Sequence, residues 1–296
     1  LENITHSYFY KENDLIYKYN LFVEFHYNII KELFISQSSN IYKDFEELKD
    51  LLYQKLCQSP SPNYDFEYDQ IVPYGELIST LILNNYLNEN GINCRLYDAR
   101  GLIKTDNKYR EAKVDWDLTI GTIQLHVFPY FLENEENRKI ALTQGFIGGA
   151  AYNYSTTLGR EGSDYTAAIF AYALKATETV IWKDVPGILN ADPRFFNDAK
   201  KVDSLTYADA IELAYYGASV IHPDTIKPLR NKKIPLYVKS FIEPDKSGTE
   251  IQENAVNNNE TFFIIKPEQI VLSISPKDFS YIAEKSIIEI FTILDS

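Results

Sequence analysis

The stretch TTLGREGSDYTAA, Thr156 to Ala168, sets two glycines, an arginine, a serine and two acids in a turn that runs straight into an alanine-rich apolar segment. Gly159 and Gly162 let the backbone approach a ligand. A helix opening near Asp164 directs unpaired N–H groups and a positive dipole end at the turn. Such a place suits an anion. Arg160 can grip a carboxylate through two parallel hydrogen bonds, and Asp164 can cap the helix or receive an ammonium. An amino acid carries both groups. Taken alone, the turn also fits a polar loop before a capped helix.

A second turn-rich segment, KDVPGILNADPR (Lys183 to Arg194), follows the next apolar run, ETVIW. Here Lys183 and Arg194 can bind phosphates, Asp184 a ribose hydroxyl or a metal, and Gly187 can permit a close backbone approach. By itself this segment fits a charged surface turn equally well. The run TQGFIGG ends in glycines just before the first turn. Two ligand loops at successive strand ends mark a binding crevice in a parallel sheet. There is no GxxxxGK[ST], so a P-loop nucleotide site is excluded.

The flanking elements alternate. YKYNLFVEFHYNIIKELF and DFEELKDLLYQKL predict two amphipathic helices in the first sixty residues, before SPSPN breaks the pattern. YGELISTLILNNYLNENG predicts a helix ended at Gly91, and INCRLYDA a strand. IGTIQLHVFPYFL predicts a helix, and KIALTQGFIGG a strand running into glycines. Next come a helix from Asp164 to Ala176, a strand at ETVIW, and a helix opened by a Thr206–Asp209 capping box and closed by Gly217. DTIKPLRNKKI and PLYVKSF add a helix and a strand. This rhythm predicts an α/β fold.

IEPDKSGTEIQENAVNNNE loses apolar periodicity, so a domain boundary is expected there. The remaining tail, TFFIIKPEQIVLSISPKDFSYIAEKSIIEIFTILDS, predicts strand, turn and helix, too little to bury its own core. The expected division is residues 1–241 as one domain, 242–261 as a linker, and 262–296 as the beginning of another.

The 296 residues are 45% hydrophobic, with 29 basic against 42 acidic side chains and a net charge of -13. Neither nucleic acid nor an anionic membrane surface is an expected partner. Cys57 and Cys94 have no metal-ligand spacing, and no metal site is expected from protein side chains. No apolar run approaches a membrane span, and the opening LENITHSYFY lacks a signal-peptide pattern, so a cytoplasmic location is expected. There is no methionine anywhere in the sequence, which is expected to be incomplete at both ends.

Six motifs, YGELIST, KTDN, TQGFIG, TTLGREGSDYTAA, IWKDVPGILNADPR and ELAYYGASVIHPDTIKPL, occur in order between about Tyr74 and Phe241. Together they resemble aspartokinases of the amino acid kinase superfamily. The tail resembles the start of the ACT region of single-function, lysine-sensitive-type aspartokinases. The resemblance implies a three-layer αβα sandwich around a mainly parallel sheet, followed by the start of a ferredoxin-like ACT domain. It implies transfer of the γ-phosphoryl group of ATP, with Mg2+, to the side-chain carboxylate of L-aspartate, the first step toward lysine, threonine and methionine. It further implies a homodimer through paired ACT regions and feedback by an amino acid such as lysine.

By motif position, Arg160 is expected on the α-carboxylate, Glu76 and Asp164 on the ammonium, and Phe146 and Ser163 in the same pocket. Asp164 is also expected to orient the catalytic lysine, which the family supplies from a Lys-Phe-Gly-Gly loop on its first strand. Lys183, Asp184, Gly187, Leu189, Arg194 and Ser219 are expected on the nucleotide side. The family's Lys-Phe-Gly-Gly loop does not occur in these residues. Lys183 stands where threonine is common, and Ser219 where the family often has lysine, which reads as a swap of cation position. Glu161 replaces a family glycine and is expected to point to solvent. His222 is expected to pack in its loop. The competing readings are another amino acid kinase, of glutamate or acetylglutamate type, and a non-catalytic amino-acid-binding protein.

Overall fold

The structure, a computed structural model, describes all residues except 37–38, 134–138, 218–220, 256–260, 266–269, 271, 276–283 and 295–296. Five helices come first: α1 (Glu2–Phe9), α2 (Leu15–Leu33), α3 (Asn40–Leu56), α4 (Tyr64–Ile71) and α5 (Pro73–Glu89). The opening sixty residues thus form three helices rather than the two expected. The additional one, α1, is short and buries Ile4 and Tyr8 against Tyr19, Leu52 and Ile71. Eight residues, about two turns, are too brief to display a periodic apolar stripe.

Then follow β1 (Cys94–Tyr97), α6 (Ala99–Leu102), α7 (Trp116–His126), α8 (Phe128–Leu132), β2 (Ile140–Thr143), β3 (Ile147–Gly149), β4 (Ser155–Thr157) and α9 (Gly162–Leu174). The predicted strand KIALTQGFIGG is therefore two strands, broken at Gln144–Phe146, where Phe146 takes a left-handed φ of 68°. The second half comprises β5 (Thr179–Lys183), β6 (Ser204–Thr206), α10 (Tyr207–Tyr216), α11 (Pro223–Lys232), β7 (Leu236–Ser240) and β8 (Thr249–Gln252). The capping box at the start of α10 is present, with Thr206 and Asp209 each accepting the other's backbone N–H.

Strands β1 and β2 pair in parallel, as do β5 with β7 and β6 with β8, whereas β3–β4 and β7–β8 are antiparallel. The larger core lies between α9, α10 and α11 and the sheet ordered β5-β7-β8-β6. A second core joins α6, α7 and α9 around Ile103, Ile123 and Ile169. Helix α9 serves both, so the turn before it is fixed by two cores at once. No described helix is long and apolar enough to cross a membrane.

Residues 242–261, expected as a linker, contain β8, which lies between β7 and β6. Polar residues at Thr249 and Gln252 hide this strand from a periodicity reading. The buried Thr249 accepts a hydrogen bond from Ile188 N–H at 2.8 Å and donates one to Val202 O at 2.6 Å. By contact density the chain separates into residues 1–263 and 264–296. In the second unit the described residues include one helix, α12 (Glu284–Leu294); the tail strand expected before it is not formed at 272–275, and its other residues lie partly outside those described.

Thr249→Val keeps the shape but orphans a buried donor and a buried acceptor. Urea unfolding should show a loss of about 2 kcal/mol or more. An unchanged midpoint would mean that β8 does not lock the 188 loop to the sheet.

Candidate functional site

The turn between β4 and α9 has the conformation its glycines allow. Gly159 has a φ of 77°, and α9 begins at Gly162, with Asp164 in its first turn. A side chain at position 162 would strike the ring of Phe146, whose Cδ2 lies 2.8 Å from where a Cβ would be. Glycine there lets Phe146 lie against the helix start. Phe146 accepts Leu158 N–H at its carbonyl and donates its own N–H to Thr166 Oγ1. Phe146 also packs against the cluster of Leu77, Ala99 and Ile147, as does Tyr74; Tyr74 and Leu77 of α5 flank Gly75 and Glu76. A bulky residue held at positive φ is strained, and such strain gathers at functional sites.

Arg160 is exposed and, among the described residues, its guanidinium has no ion-pair partner. It lines a cleft of about 650 Å³ with Phe146, Thr157, Gly159 and Arg110. Glu76, half-buried in the first turn of α5, likewise has no side-chain partner among the described residues, and burial pushes its carboxyl pKa up. Each group is free to take an opposite charge, but Glu76 is not among the residues that line the Arg160 cleft; the link between them is Phe146, which lines that cleft and packs against the α5 cluster. Gln144, fully buried, couples these elements. Its Oε1 accepts Ala99 N–H and its Nε2 donates to Thr80 Oγ1, which in turn donates to Glu76 O, each at 2.8 Å.

Asp164 meets Lys183. Lys183 Nζ, at the end of β5, lies 2.9 Å from Asp164 Oδ2, with both side chains largely buried. The contact lacks hydrogen-bond alignment, so charge holds it and Oδ2 retains capacity for a donor. Ser163 is exposed beside Asp164 and lines a mostly apolar cavity of about 400 Å³ with Thr143, Gly145 and Phe170. Glu161, expected in solvent, is instead half-buried at a φ of 53°, and its Oε2 is buried without a hydrogen-bond partner among the described residues. Position 161 is the N-cap of α9, whose left-handed backbone directs the side chain inward.

Much of the second segment is held by contacts within the protein. Asp184 is exposed. Gly187, at a φ of 142°, does permit a close approach, but to Thr249 Oγ1, 2.6 Å from a would-be Cβ. Leu189 pairs across a β-bridge with Lys201. Arg194, 81% exposed, is forked onto Asp192, with its Nη2 2.6 Å from Oδ2. Ser219 lies outside the described residues. His222 caps α11, its Nδ1 accepting Asp224 N–H at 3.3 Å, with its side chain 40% exposed rather than packed.

The chain matches the amino acid kinase family over residues 14–240. It belongs to that family. Among its relatives, lysine-sensitive aspartokinase 3 of Escherichia coli strain K12 is 39% identical over 181 residues, which cover 61% of this chain and 39% of that protein. Chloroplastic aspartokinase 1 of Arabidopsis thaliana is 36% identical over 234 residues, 76% of this chain and 39% of that protein. A crystal structure of E. coli aspartokinase III in complex with aspartate and ADP superimposes with a TM-score of 0.76 at 31% identity, covering 86% of this chain and 56% of that one. The fold is the α/β amino acid kinase fold. The chain spans about two fifths of the length of these curated relatives.

The sequence reading missed Asp69. This carboxylate is fully buried in α4, where its Oδ2 accepts Arg110 N–H and Thr157 N–H, both at 2.9 Å, and its Oδ1 accepts the Thr157 hydroxyl at 2.8 Å. Burial outweighs these bonds and pushes its pKa up to about 6. The charged or titratable groups facing it are Asp65 and Tyr68 on its own helix and Tyr109 and Arg110 in the adjoining loop. With the folded pKa above the unfolded one, the stability this group contributes is full below about pH 4 and lost as pH rises through about 6. The stability difference between wild type and Asp69→Asn should therefore shift toward wild type by up to about 3 kcal/mol from pH 8 to pH 4 in urea titrations. A pH-independent difference would contradict the raised pKa.

Proposed function

We propose that this chain is the catalytic part of an aspartate kinase, transferring the γ-phosphoryl group of ATP to the side-chain carboxylate of L-aspartate. The observation that carries this is the turn 159–164, which presents an unpaired guanidinium at Arg160 and, four residues on, an acid already holding a lysine. Arg160 takes the α-carboxylate, Glu76 and Asp164 the ammonium, and Phe146 and Ser163 bound the pocket. The relatives named aspartokinase, and the one solved with aspartate and ADP, support this substrate pair.

In the transfer, a β-carboxylate oxygen of aspartate attacks the γ-phosphorus; an O–P bond forms as the bond to the ADP oxygen breaks, and ADP leaves with the bonding pair. The acceptor is already ionised and needs no base. The protein's task is alignment and charge neutralisation. Lys183, aimed by Asp164, supplies a cation at the start of α9, where helix N–H groups also favour the phosphates. Asp184, Gly187, Leu189, Arg194 and Ser219 belong to the nucleotide side. Among the described residues no three His, Cys, Asp or Glu side chains form a metal site. Mg2+ would be carried in on the ATP phosphates, with exposed Asp184 the carboxylate to meet it.

We further place this chemistry in the cytoplasm, and read residues 264–296 as the beginning of an ACT region through which a homodimer forms and lysine feeds back. The name of the lysine-sensitive relative supports the feedback by lysine, and the motif resemblance the ACT region.

Arg160→Ala should raise the aspartate KM about 10- to 100-fold, the worth of a charge-assisted carboxylate contact. Lys183→Met should lower kcat about 100-fold or more, with a smaller change in aspartate KM. Both are measured by coupled ADP release, with hydroxylamine trapping of the acyl phosphate. Preference for L-glutamate over L-aspartate, or aspartate binding without ADP release, would overturn the assignment.

A further inference from the structure

We propose that Asp69 is the positioning residue that holds the Arg160 turn at its working distance from the Glu76 helix, so that affinity for the amino acid depends on a carboxylate that never touches it. The inference rests on the aspartate-kinase reading of the same site. Asp69 holds two walls of the Arg160 cleft at once. Through Thr157 it fixes the last residue of β4, three positions before Arg160, and through Arg110 N–H it fixes the loop whose Arg110 and Tyr109 line the same cleft.

The two walls also meet each other. Ala112 N–H donates to Thr157 O at 3.0 Å, and Arg110 O lies 3.3 Å from where a Cβ on Gly159 would sit. Arg110 is itself at a left-handed φ of 67°, a conformation that its bond to Asp69 helps to hold. Its guanidinium stacks on Tyr68, next to Asp69 in α4, 4.5 Å from the ring centroid. Only Val72 separates α4 from α5, with Pro73 opening the second helix. The short segment from Asp69 to Glu76 thus carries both the anchor of the carboxylate-gripping turn and the acid that faces the ammonium.

The nucleotide side is built differently. Lys183 and the segment after it hang from β5 and β8. None of the Asp69 bonds reaches those strands. Loss of the anchor should therefore loosen the amino acid and spare the nucleotide, a split that general destabilisation would not produce.

The test is calorimetric titration of L-aspartate and, separately, of MgATP into this chain and its variants. Asp69→Ala removes all three acceptor bonds and should weaken aspartate tenfold or more while moving ATP less than twofold. In Asp69→Asn one amide oxygen can accept both N–H groups and the amide nitrogen can donate to Thr157 Oγ1, so aspartate affinity should return to within about threefold of wild type. Thr157→Val, which deletes one bond at nearly constant volume, should weaken aspartate at least threefold and leave ATP unchanged. It decides by that threshold if Asp69→Ala does not fold. A folded Asp69→Ala variant that binds aspartate like wild type, or variants that lose both ligands in equal measure, would overturn the inference. Wild-type chain that binds MgATP but no L-aspartate would instead overturn the substrate reading beneath it.

Discussion

The contact between Lys183 and Asp164 ties the end of β5 to the first turn of α9, and the candidate site is arranged around it. A largely buried ammonium and carboxylate each cost solvation, which their mutual attraction offsets only while both are in place. The pair is thus a stored arrangement of charge as much as a strut. It leaves the exposed Arg160 as the cation of this turn with no internal partner among the described residues. Two positive groups within one turn and one strand end are thereby divided, one paired internally and one left for a ligand, which in the proposed function are the phosphate and carboxylate cations.

That division requires a rigid turn, and the rigidity comes from outside it. Helix α9 is packed into two cores, so its start cannot move without disturbing Ile169 on one side and Ala168 on the other. Phe146 is wedged between the glycine at 162 and the α5 cluster at a strained φ. Two buried polar side chains complete the frame, Asp69 under the turn and Gln144 under α5. Polar anchors specify position more sharply than apolar contacts do, because a misplaced partner leaves a buried donor or acceptor unmet.

Much of this was legible in the sequence, for identifiable reasons. Strands rich in β-branched residues, the Thr206–Asp209 box and the Gly217 cap have local signatures, and they stand where the sequence puts them. The Arg160 turn was legible because glycines, a cation and a helix start are adjacent in the chain. What escaped was non-local. Strand β8 is only four residues, and it becomes recognisable only once β7 and β6 flank it. Asp69 reads as one acid among several in α4; only the fold shows that it faces Thr157, 88 residues away in sequence. The inward turn of Glu161 depends on a left-handed backbone that its residue type does not announce.

The central claim is that Arg160 waits for the α-carboxylate of an amino acid while Lys183 stays with Asp164. The most direct test is a crystal structure of this chain with L-aspartate bound. The account predicts the α-carboxylate bidentate on the Arg160 guanidinium at about 2.8 Å, the ammonium toward Glu76, and the Lys183–Asp164 contact intact. Aspartate bound away from Arg160, or Lys183 leaving Asp164 to take the α-carboxylate, would contradict it.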